Sequence, residues 1–338
     1  MTSPISATVV YLLAFPFTAH RGERAARPAL TKSAPYFQPL DIEVSELGQT
    51  SFSVGGQTVS VRRQVIDEQV QSVECRYTLN DVLAAASNAQ RLAMQAELRE
   101  HVLREAGYSG PFIEEYFVAC LTYAPPAPDA FVDAHRSQLA SLLRSETRAL
   151  SEAEIEQILG SRAHYTKEDL TVVDWEGAII IDPEADFQSE IELLKLGNYQ
   201  ILRYRLLDRA IERTLEHLRQ ELESRRRFSL GGRALREALD RRLELLLDFE
   251  KSEQLLLLIG DWYTAQLYRL IVDEFYIDDW KAAVHDKLDQ LESITDTVRA
   301  NFSVTWEQFL DLVQLAGWLI LLIGYFVLFY FDVLALGK

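Results

Sequence analysis

The stretch LVQLAGWLILLIGYFVLFYF, Leu312 to Phe331, decides the architecture, because it runs without a charge in a chain of formal net charge -17. A membrane helix needs roughly 20 apolar residues to cross about 30 Å of hydrocarbon. A helix in a soluble core is rarely apolar on every face. We therefore predict one transmembrane helix over 312–331. Its anchoring residues are Trp318, Gly324, Tyr325 and Tyr330, since aromatic side chains favour the interfaces and glycine is tolerated in lipid.

A second apolar run, ATVVYLLAFPF from Ala7 to Phe17, is too short to span a membrane. No basic residue precedes it, which is atypical of a signal peptide, and Pro16 would interrupt a helix. We predict a buried strand over Thr8–Phe15, with a signal-like segment as the alternative. The membrane element then lies near the C-terminus, followed by a short tail at 332–338. This order predicts a tail-anchored protein whose bulk lies in the cytoplasm.

Composition limits the partners of the soluble part. The chain carries 51 acidic residues against 34 Lys and Arg, and phosphate repels such a surface, so we expect no nucleic-acid partner. The two cysteines, Cys75 and Cys120, do not make a disulfide framework. Both lie in strand-like runs, so we expect buried structural thiols rather than nucleophiles.

Strand and helix signals are mixed over residues 1–182, which predicts a cytoplasmic α/β domain. Gly55-Gly56 lies between alternating runs and predicts a hairpin, because glycine adopts the positive φ of a tight turn. Ser151 and Glu154 match a capping box at a helix start. The remaining elements expected here are strands at 71–79, 114–124, 169–175 and 177–182, and helices at 82–106, capped by Asn80 or Asp81, and 129–143.

Strand signals end after Asp182, and apolar residues recur at spacings of three and four. We predict three long helices, at about 184–225, 233–275 and 279–331, with consecutive helices antiparallel. Pro183 suits the start of the first helix, and Asp186 is an alternative cap. Residues 183–311 would form a helical hairpin and stalk that continues into the membrane helix. A hinge near Asn301–Thr305 is the alternative. The fold class expected is α+β, with an N-terminal mixed α/β sandwich followed by a three-helix stalk and one C-terminal transmembrane helix.

Two sets of charged residues are candidate sites outside the membrane segment. Asp273, Asp278 and Asp279 flank the second helical break and offer the oxygen ligands that Mg²⁺ or another divalent cation prefers, for example between subunits. Acidic residues that stabilise a helix start are the alternative explanation. The basic turn Arg225, Arg226 and Arg227 could contact anionic lipid or an acidic protein partner, or be solvated. No nucleotide-binding or hydrolase motif is found, so we predict no enzyme and no resident cofactor.

The order of a mixed α/β domain, two long helices and a long helix running into lipid resembles the cytoplasmic plan of CorA-type divalent-cation channels. Those channels carry a Gly-Met-Asn signature and a second membrane helix, whereas Gly324-Tyr325-Phe326 occupies the segment here. The layout also resembles Rmd-type membrane-anchored proteins, which have one C-terminal membrane segment. The first resemblance implies cation transport or sensing, and the second implies an organising role at a membrane.

The function expected from these observations is a non-enzymatic, membrane-anchored scaffold or partner-binding module. Apolar stripes left over after three-helix packing need another surface, which predicts a homo-oligomer formed as a coiled coil through the stalk. The alternative is a CorA-like divalent-cation transporter or sensor with a reduced membrane domain. A third class, a membrane-bound hydrolase, would need an acidic or Cys-centred cleft in the α/β domain. The expected partners are the lipid bilayer, further copies of the chain and a cytoplasmic protein.

Overall fold

The computed structural model describes residues 4–17, 23–24, 44–123, 127–224, 240, 242–247, 249 and 262–336. Its strands are β1 (Ala7–Pro16), β2 (Glu23–Arg24), β3 (Val44–Val54), β4 (Gln57–Ile66), β5 (Val70–Leu79), β6 (Glu114–Leu121), β7 (Arg162–Ala163), β8 (Leu170–Val173) and β9 (Gly177–Ile181). Its helices are α1 (Ala85–Glu105), α2 (Pro128–Ala134), α3 (Arg136–Leu143), α4 (Glu152–Ile158), α5 (Gln188–Ser224), α6 (Trp262–Glu274) and α7 (Ile277–Leu336).

The strands form one mixed sheet in the order β2-β3-β4-β5-β1-β6-β9-β8-β7. In the described part of the chain every neighbouring pair is antiparallel except β6 with β9. The predicted first strand is confirmed, and β1 lies inside the sheet between β5 and β6. The predicted hairpin is also confirmed, with φ of 55° at Gly55 and 79° at Gly56 between β3 and β4.

Helices cover both faces of the sheet, as the near-continuous burial of β1 requires. Tyr11 and Leu13 share a core with residues of α1, α2, α3 and α4. The side chains that point the other way meet α5 and the segment after α6, where Glu74 pairs with Lys195 and Tyr116 packs against Phe275. The predicted α/β sandwich is therefore confirmed.

Two predicted helices are wrong in detail. The helix expected at 129–143 is two helices, which break at His135 (φ -120°, ψ 25°). The helix expected from Val82 begins at Ala85, and neither Asn80 nor Asp81 supplies its cap. Instead the Ser87 hydroxyl donates to the Asn80 carbonyl at 2.7 Å, and Asp81 turns the chain with φ of 54°.

The start predicted for the first long helix, at 184, is also wrong, because α5 begins at Gln188. The Asp182 carboxylate accepts a hydrogen bond from the Glu184 amide at 2.7 Å, and Ala185 has φ of 59°. A left-handed residue cannot continue a right-handed helix, so the turn delays the start. The Ser151 cap is confirmed, since its hydroxyl accepts from the Glu154 amide at 3.2 Å.

The last helix is continuous over 60 residues, about 90 Å at the standard rise. No hinge interrupts it at 301–305, so the prediction of one long helix is confirmed. Val284, Leu288 and Leu291 form its buried stripe, and Thr295 is buried with its hydroxyl donating to the Leu291 carbonyl. Of the helix predicted at 233–275, the structure describes part, and that part ends at Glu274 as α6.

The chain divides into two compact units. The first comprises residues 1–208 and 248–284, and the second comprises 209–247 and 285–338. The sheet domain thus takes in the first half of α5 and all of α6, beyond the boundary expected after Asp182. These helices belong to it because they cover one face of the sheet.

Candidate functional site

The C-terminal part of α7 is apolar enough to cross a membrane. Leu310–Leu328 covers 19 residues with a mean hydropathy of 1.9, and none of it is buried. Among the described residues, one helix is long and apolar enough to cross a membrane, and it is this one. The segment agrees with the predicted 312–331 to within three residues at either end.

The predicted anchoring residues lie on this helix. Trp318 and Tyr325 are both about two-thirds exposed, at 67% and 68%. A methyl group added at Gly324 or at Gly317 would meet nothing within 4 Å. Tyr330 lies in α7 just after the apolar segment, and its side chain is outside the described residues.

A shallow groove of about 390 Å³ lies within the second unit, between α5 and α7. Leu215 and Ile294 form its apolar floor, and Glu212, Glu216 and Arg219 form its rim. Arg219 pairs with Glu216 at 2.9 Å, and Lys287 of α7 pairs with Glu212 of α5 at 3.0 Å. The groove therefore offers a hydrophobic strip bordered by both signs of charge.

Asp278 and Asp279, two of the three acidic residues proposed as a metal site, have a local structural explanation in the single chain. Asp278 and Asp279 lie in the first turn of α7, where the helix dipole stabilises negative charge. Asp273 lies in the last turn of α6, and its carbonyl accepts from the Tyr276 amide at 3.3 Å. Among the described residues no group of three metal-ligating side chains converges. A site shared between copies of the chain stays a prediction, as does any role of Arg225, Arg226 and Arg227, which lie outside the described residues.

The two cysteines are confirmed as buried thiols. Cys75 and Cys120 are unpaired and at most 1% exposed. Burial raises the pKa of Cys75 to about 12 and also raises the pKa of Cys120. Since the thiolate is the reactive species, neither residue is an activated nucleophile at neutral pH.

A cleft of about 300 Å³ opens where β6 begins. Strand β9 starts at Gly177, opposite Phe117, so Glu114 to Tyr116 pair with β1 but lack a described strand on the β9 side. Side chains alternate between the two faces of a strand, and each face is covered by a layer of helices. Residues from both helix layers therefore line the space left beside β6. A Cβ at position 177 would lie 2.8 Å from the Phe117 carbonyl oxygen, so glycine permits β9 to start there.

Arg91 of α1 forms the buried end of this cleft. It is 1% exposed, and its guanidinium carbon lies 4.2 Å above the centre of the Phe117 ring. Its hydrogen bonds go to neutral acceptors: the Asn88 Oδ1, the Gln95 Oε1, the Ser145 Oγ and the Leu142 carbonyl, at 2.7–3.1 Å. Burial lowers the pKa of Arg91 to about 10, although the nearby charge of Glu176 acts in the opposite direction.

Three carboxylates line the same cleft. Glu114 pairs with Arg205 of α5, and Glu115 pairs with Arg99 of α1 at 2.7 Å while accepting the hydroxyl of Tyr11. Glu176 lies in the turn between β8 and β9 and is exposed at the rim. Desolvation in the cleft raises the pKa of Glu114, and partial desolvation at the rim raises that of Glu176, above the ordinary carboxyl value.

Comparison with sequence families matches residues 13–188 to the family described as Uncharacterized protein MJ0711, N-terminal domain. The match covers more than half of the chain. The chain belongs to this family.

A curated relative, Uncharacterized protein MJ0711 of Methanocaldococcus jannaschii, is 28% identical over 215 residues. That alignment covers 61% of this chain, and the chain spans 66% of the relative's length. No solved structure matched the chain. The MJ0711 N-terminal domain supplies the cleft residues of α1, of β6 and of the turn between β8 and β9. The cleft residues Asn198 and Phe275 and the apolar segment lie outside residues 13–188.

Sequence reasoning missed the cleft of this MJ0711-family domain. One signal was present: Arg91 lies three residues before Met94, seven before Leu98 and eleven before Val102, on the apolar stripe of α1. A basic residue at a position on the apolar stripe of a helix indicates a buried cation. Glu176 and Trp175 carry no such signal, because only tertiary packing places their turn beside α1.

Proposed function

We propose that this protein is a membrane-anchored, non-enzymatic binding module whose α/β domain lies on the cytoplasmic side and whose helical unit associates with further copies of itself. The observation that carries the proposal is the apolar segment Leu310–Leu328, of which no residue is buried.

Exposure of this segment to water would be costly. Covering one large aliphatic or aromatic side chain is worth about 1.5–3 kcal/mol, and Leu315, Leu319, Ile320 and Phe326 are among the exposed ones. A continuous apolar surface of this length exceeds what soluble monomers expose. Lipid removes the cost, because the helix satisfies its own backbone hydrogen bonds.

Self-association is supported by apolar side chains that the second unit leaves uncovered. Leu243 and Leu247 are 57% exposed, and Leu215 and Ile294 line the groove between α5 and α7. A second copy of the chain suits this surface. The rim of the groove carries both acidic and basic side chains, so the acidic groups of one copy can face the basic groups of the other. In lipid, Gly317 and Gly324 allow a second helix to approach closely.

Flotation with neutral phosphatidylcholine vesicles tests the anchor. Leu319→Asp with Ile323→Asp places two charges one turn apart, each costing roughly 2.5–3.5 kcal/mol at the centre of a membrane helix. We expect the natural chain and the matched Leu319→Ala, Ile323→Ala control to float, and the aspartate pair to stay at the bottom of the gradient. A natural chain that stays dissolved and monodisperse without detergent would overturn the proposal.

The mass of the detergent-solubilised particle tests self-association. We expect the natural chain to be an oligomer. The double variant Leu243→Glu, Leu247→Glu should dissociate it, and the control variant Leu47→Glu in the α/β domain should leave it intact. A monomeric natural chain would contradict the proposal. A particle mass that changes on adding Mg²⁺ would instead favour the divalent-cation alternative.

A further inference from the structure

Two charged side chains of the cleft have no ion-pair partner in the described chain. Arg91 is buried and donates only to neutral acceptors, and the carboxylate of Glu176 makes neither an ion pair nor a hydrogen bond among the described residues. The other two cleft carboxylates, Glu114 and Glu115, are each paired with an arginine. Arg91 and Glu176 thus line one cavity with opposite charges, and they do not pair with each other.

Unused hydrogen-bond donors lie at the Arg91 end. Gln95 is only 8% exposed and lines the cleft, and its Nε2 has no hydrogen-bond partner. That amide lies beside the Tyr77 hydroxyl, but neither atom makes a hydrogen bond of ordinary geometry. The Nη1 of Arg91 donates one bond, to Gln95 Oε1 at 2.8 Å, and keeps a second N–H. Buried donors without acceptors cost free energy, which an acceptor supplied by a ligand would recover.

Aromatic rings provide an apolar wall. Trp175 meets Phe275 edge to face with ring centres 6.3 Å apart, and Phe275 packs on Tyr116 at 4.9 Å. Trp175 is 39% exposed although its neighbours in the wall are buried. A ligand ring or aliphatic chain could cover it at the rim.

We propose that this cleft binds a small zwitterion of the α-amino acid type with an aromatic or large apolar side chain. Arg91 and Gln95 receive its carboxylate, Glu176 receives its ammonium group, and Trp175 and Phe275 pack against its side chain. Carboxylate recognition suits a guanidinium and an amide, which donate parallel N–H groups. A volume of about 300 Å³ is at the small end of ligand cavities, which fits a single amino acid. This inference does not depend on the membrane anchor or on self-association.

Calorimetric titration of the full-length protein in detergent tests the proposal with three matched probes. L-phenylalanine carries both charges, 3-phenylpropionate lacks the ammonium group and 2-phenylethylamine lacks the carboxylate. We expect phenylalanine to bind about ten- to a hundredfold more tightly than either analogue, the value of one charge-assisted hydrogen bond. No measurable binding of phenylalanine, or equal binding of either analogue, would overturn the zwitterion assignment.

Glu176 is exposed at the rim, so a variant there tests the contact without disturbing the core, whereas Gln95 is buried and its variant is first checked for an unchanged thermal unfolding midpoint. Glu176→Gln preserves the shape of the side chain. It should weaken the binding of phenylalanine by about tenfold or more and leave the binding of 3-phenylpropionate unchanged. Glu152→Gln, on exposed α4, is the matched control and should leave both affinities unchanged. Gln95→Leu should weaken the binding of both probes that carry a carboxylate, phenylalanine and 3-phenylpropionate. Unchanged phenylalanine affinity in both Glu176→Gln and Gln95→Leu would refute the proposed contacts.

Discussion

Lys195 of α5 and Glu74 of β5 form an ion pair in which both side chains are 4% exposed. The pair lies between the sheet and the helix that covers it, and Arg76 also contacts Glu74 while Glu192 contacts Lys195 at 2.9 Å. Four charges of alternating sign thus fasten the start of α5 to the sheet.

Removing one member of this pair should destabilise the α/β domain strongly. Glu74→Gln or Lys195→Met leaves a buried charge without its main partner, which costs about 3–5 kcal/mol. The double replacement Glu74→Leu, Lys195→Met should lie closer to the natural chain, because neither of the two buried positions then carries a charge. Arg76 and Glu192 lose a partner, but they are more exposed, at 38% and 20%. Chemical denaturation of the three variants measures the difference, and a double variant as unstable as either single one would contradict the explanation.

Acid should weaken the same contact. Burial by itself raises the pKa of Glu74. The positive charges of Lys195 and Arg76 lower it by more than burial raises it, so the pKa of Glu74 in the folded protein lies below the ordinary carboxyl value. A lowered folded-state pKa contributes stability above the ordinary carboxyl pKa, and this stability is lost as pH falls through the lowered value. We expect the unfolding free energy of Glu74→Gln to depend less on pH in the acid range than that of the natural chain.

Gly197 of α5 should not tolerate alanine. An added Cβ would lie 2.5 Å from Ile271 Cγ2 and 2.9 Å from Phe275 Cε2. Alanine favours a helix by about 1 kcal/mol over glycine, but overpacking of this kind costs about 1–3 kcal/mol. We expect a lower melting temperature for Gly197→Ala. A melting temperature equal to or above that of the natural chain would contradict the overpacking at this position.

The thiols should be unreactive in the folded protein. Burial raises the pKa of Cys75 to about 12, and Cys120 is shifted in the same direction. Labelling with a thiol-specific chromogenic disulfide should therefore be slow up to about pH 9 and rapid once denaturant is added. Ser51→Cys, on an exposed position of β3, should react quickly without denaturant. Fast labelling of the natural folded chain would show an accessible thiolate.

Tyr263 should contribute through its hydroxyl, which donates to Glu190 Oε1 at 2.7 Å in the layer between α6 and α5. Burial, together with the Glu190 charge, raises the pKa of this phenol, so it stays a donor throughout the neutral range. Tyr263→Phe should cost about 1–3 kcal/mol of stability by removing a buried hydrogen bond to a carboxylate. Thermal unfolding of Tyr263→Phe beside Tyr123→Phe, an exposed tyrosine, measures the effect.

Local patterns in the sequence determined the elements whose causes are local. The continuous apolar run predicted β1, the paired glycines predicted the β3–β4 hairpin, and the charge-free stretch after Asp311 predicted the exposed segment of α7. Each rests on periodicity or on backbone freedom within a few residues.

Tertiary structure alone decided what depends on contacts between distant residues. Position 91 became a buried cation because β6 and the α3 end close over it, and Glu176 came beside it because β9 pairs with β6. Lys195 met Glu74 across 121 positions of sequence for the same reason. The free energy of a charge depends on the groups packed around it, and strand order, which local patterns do not encode, selects those groups.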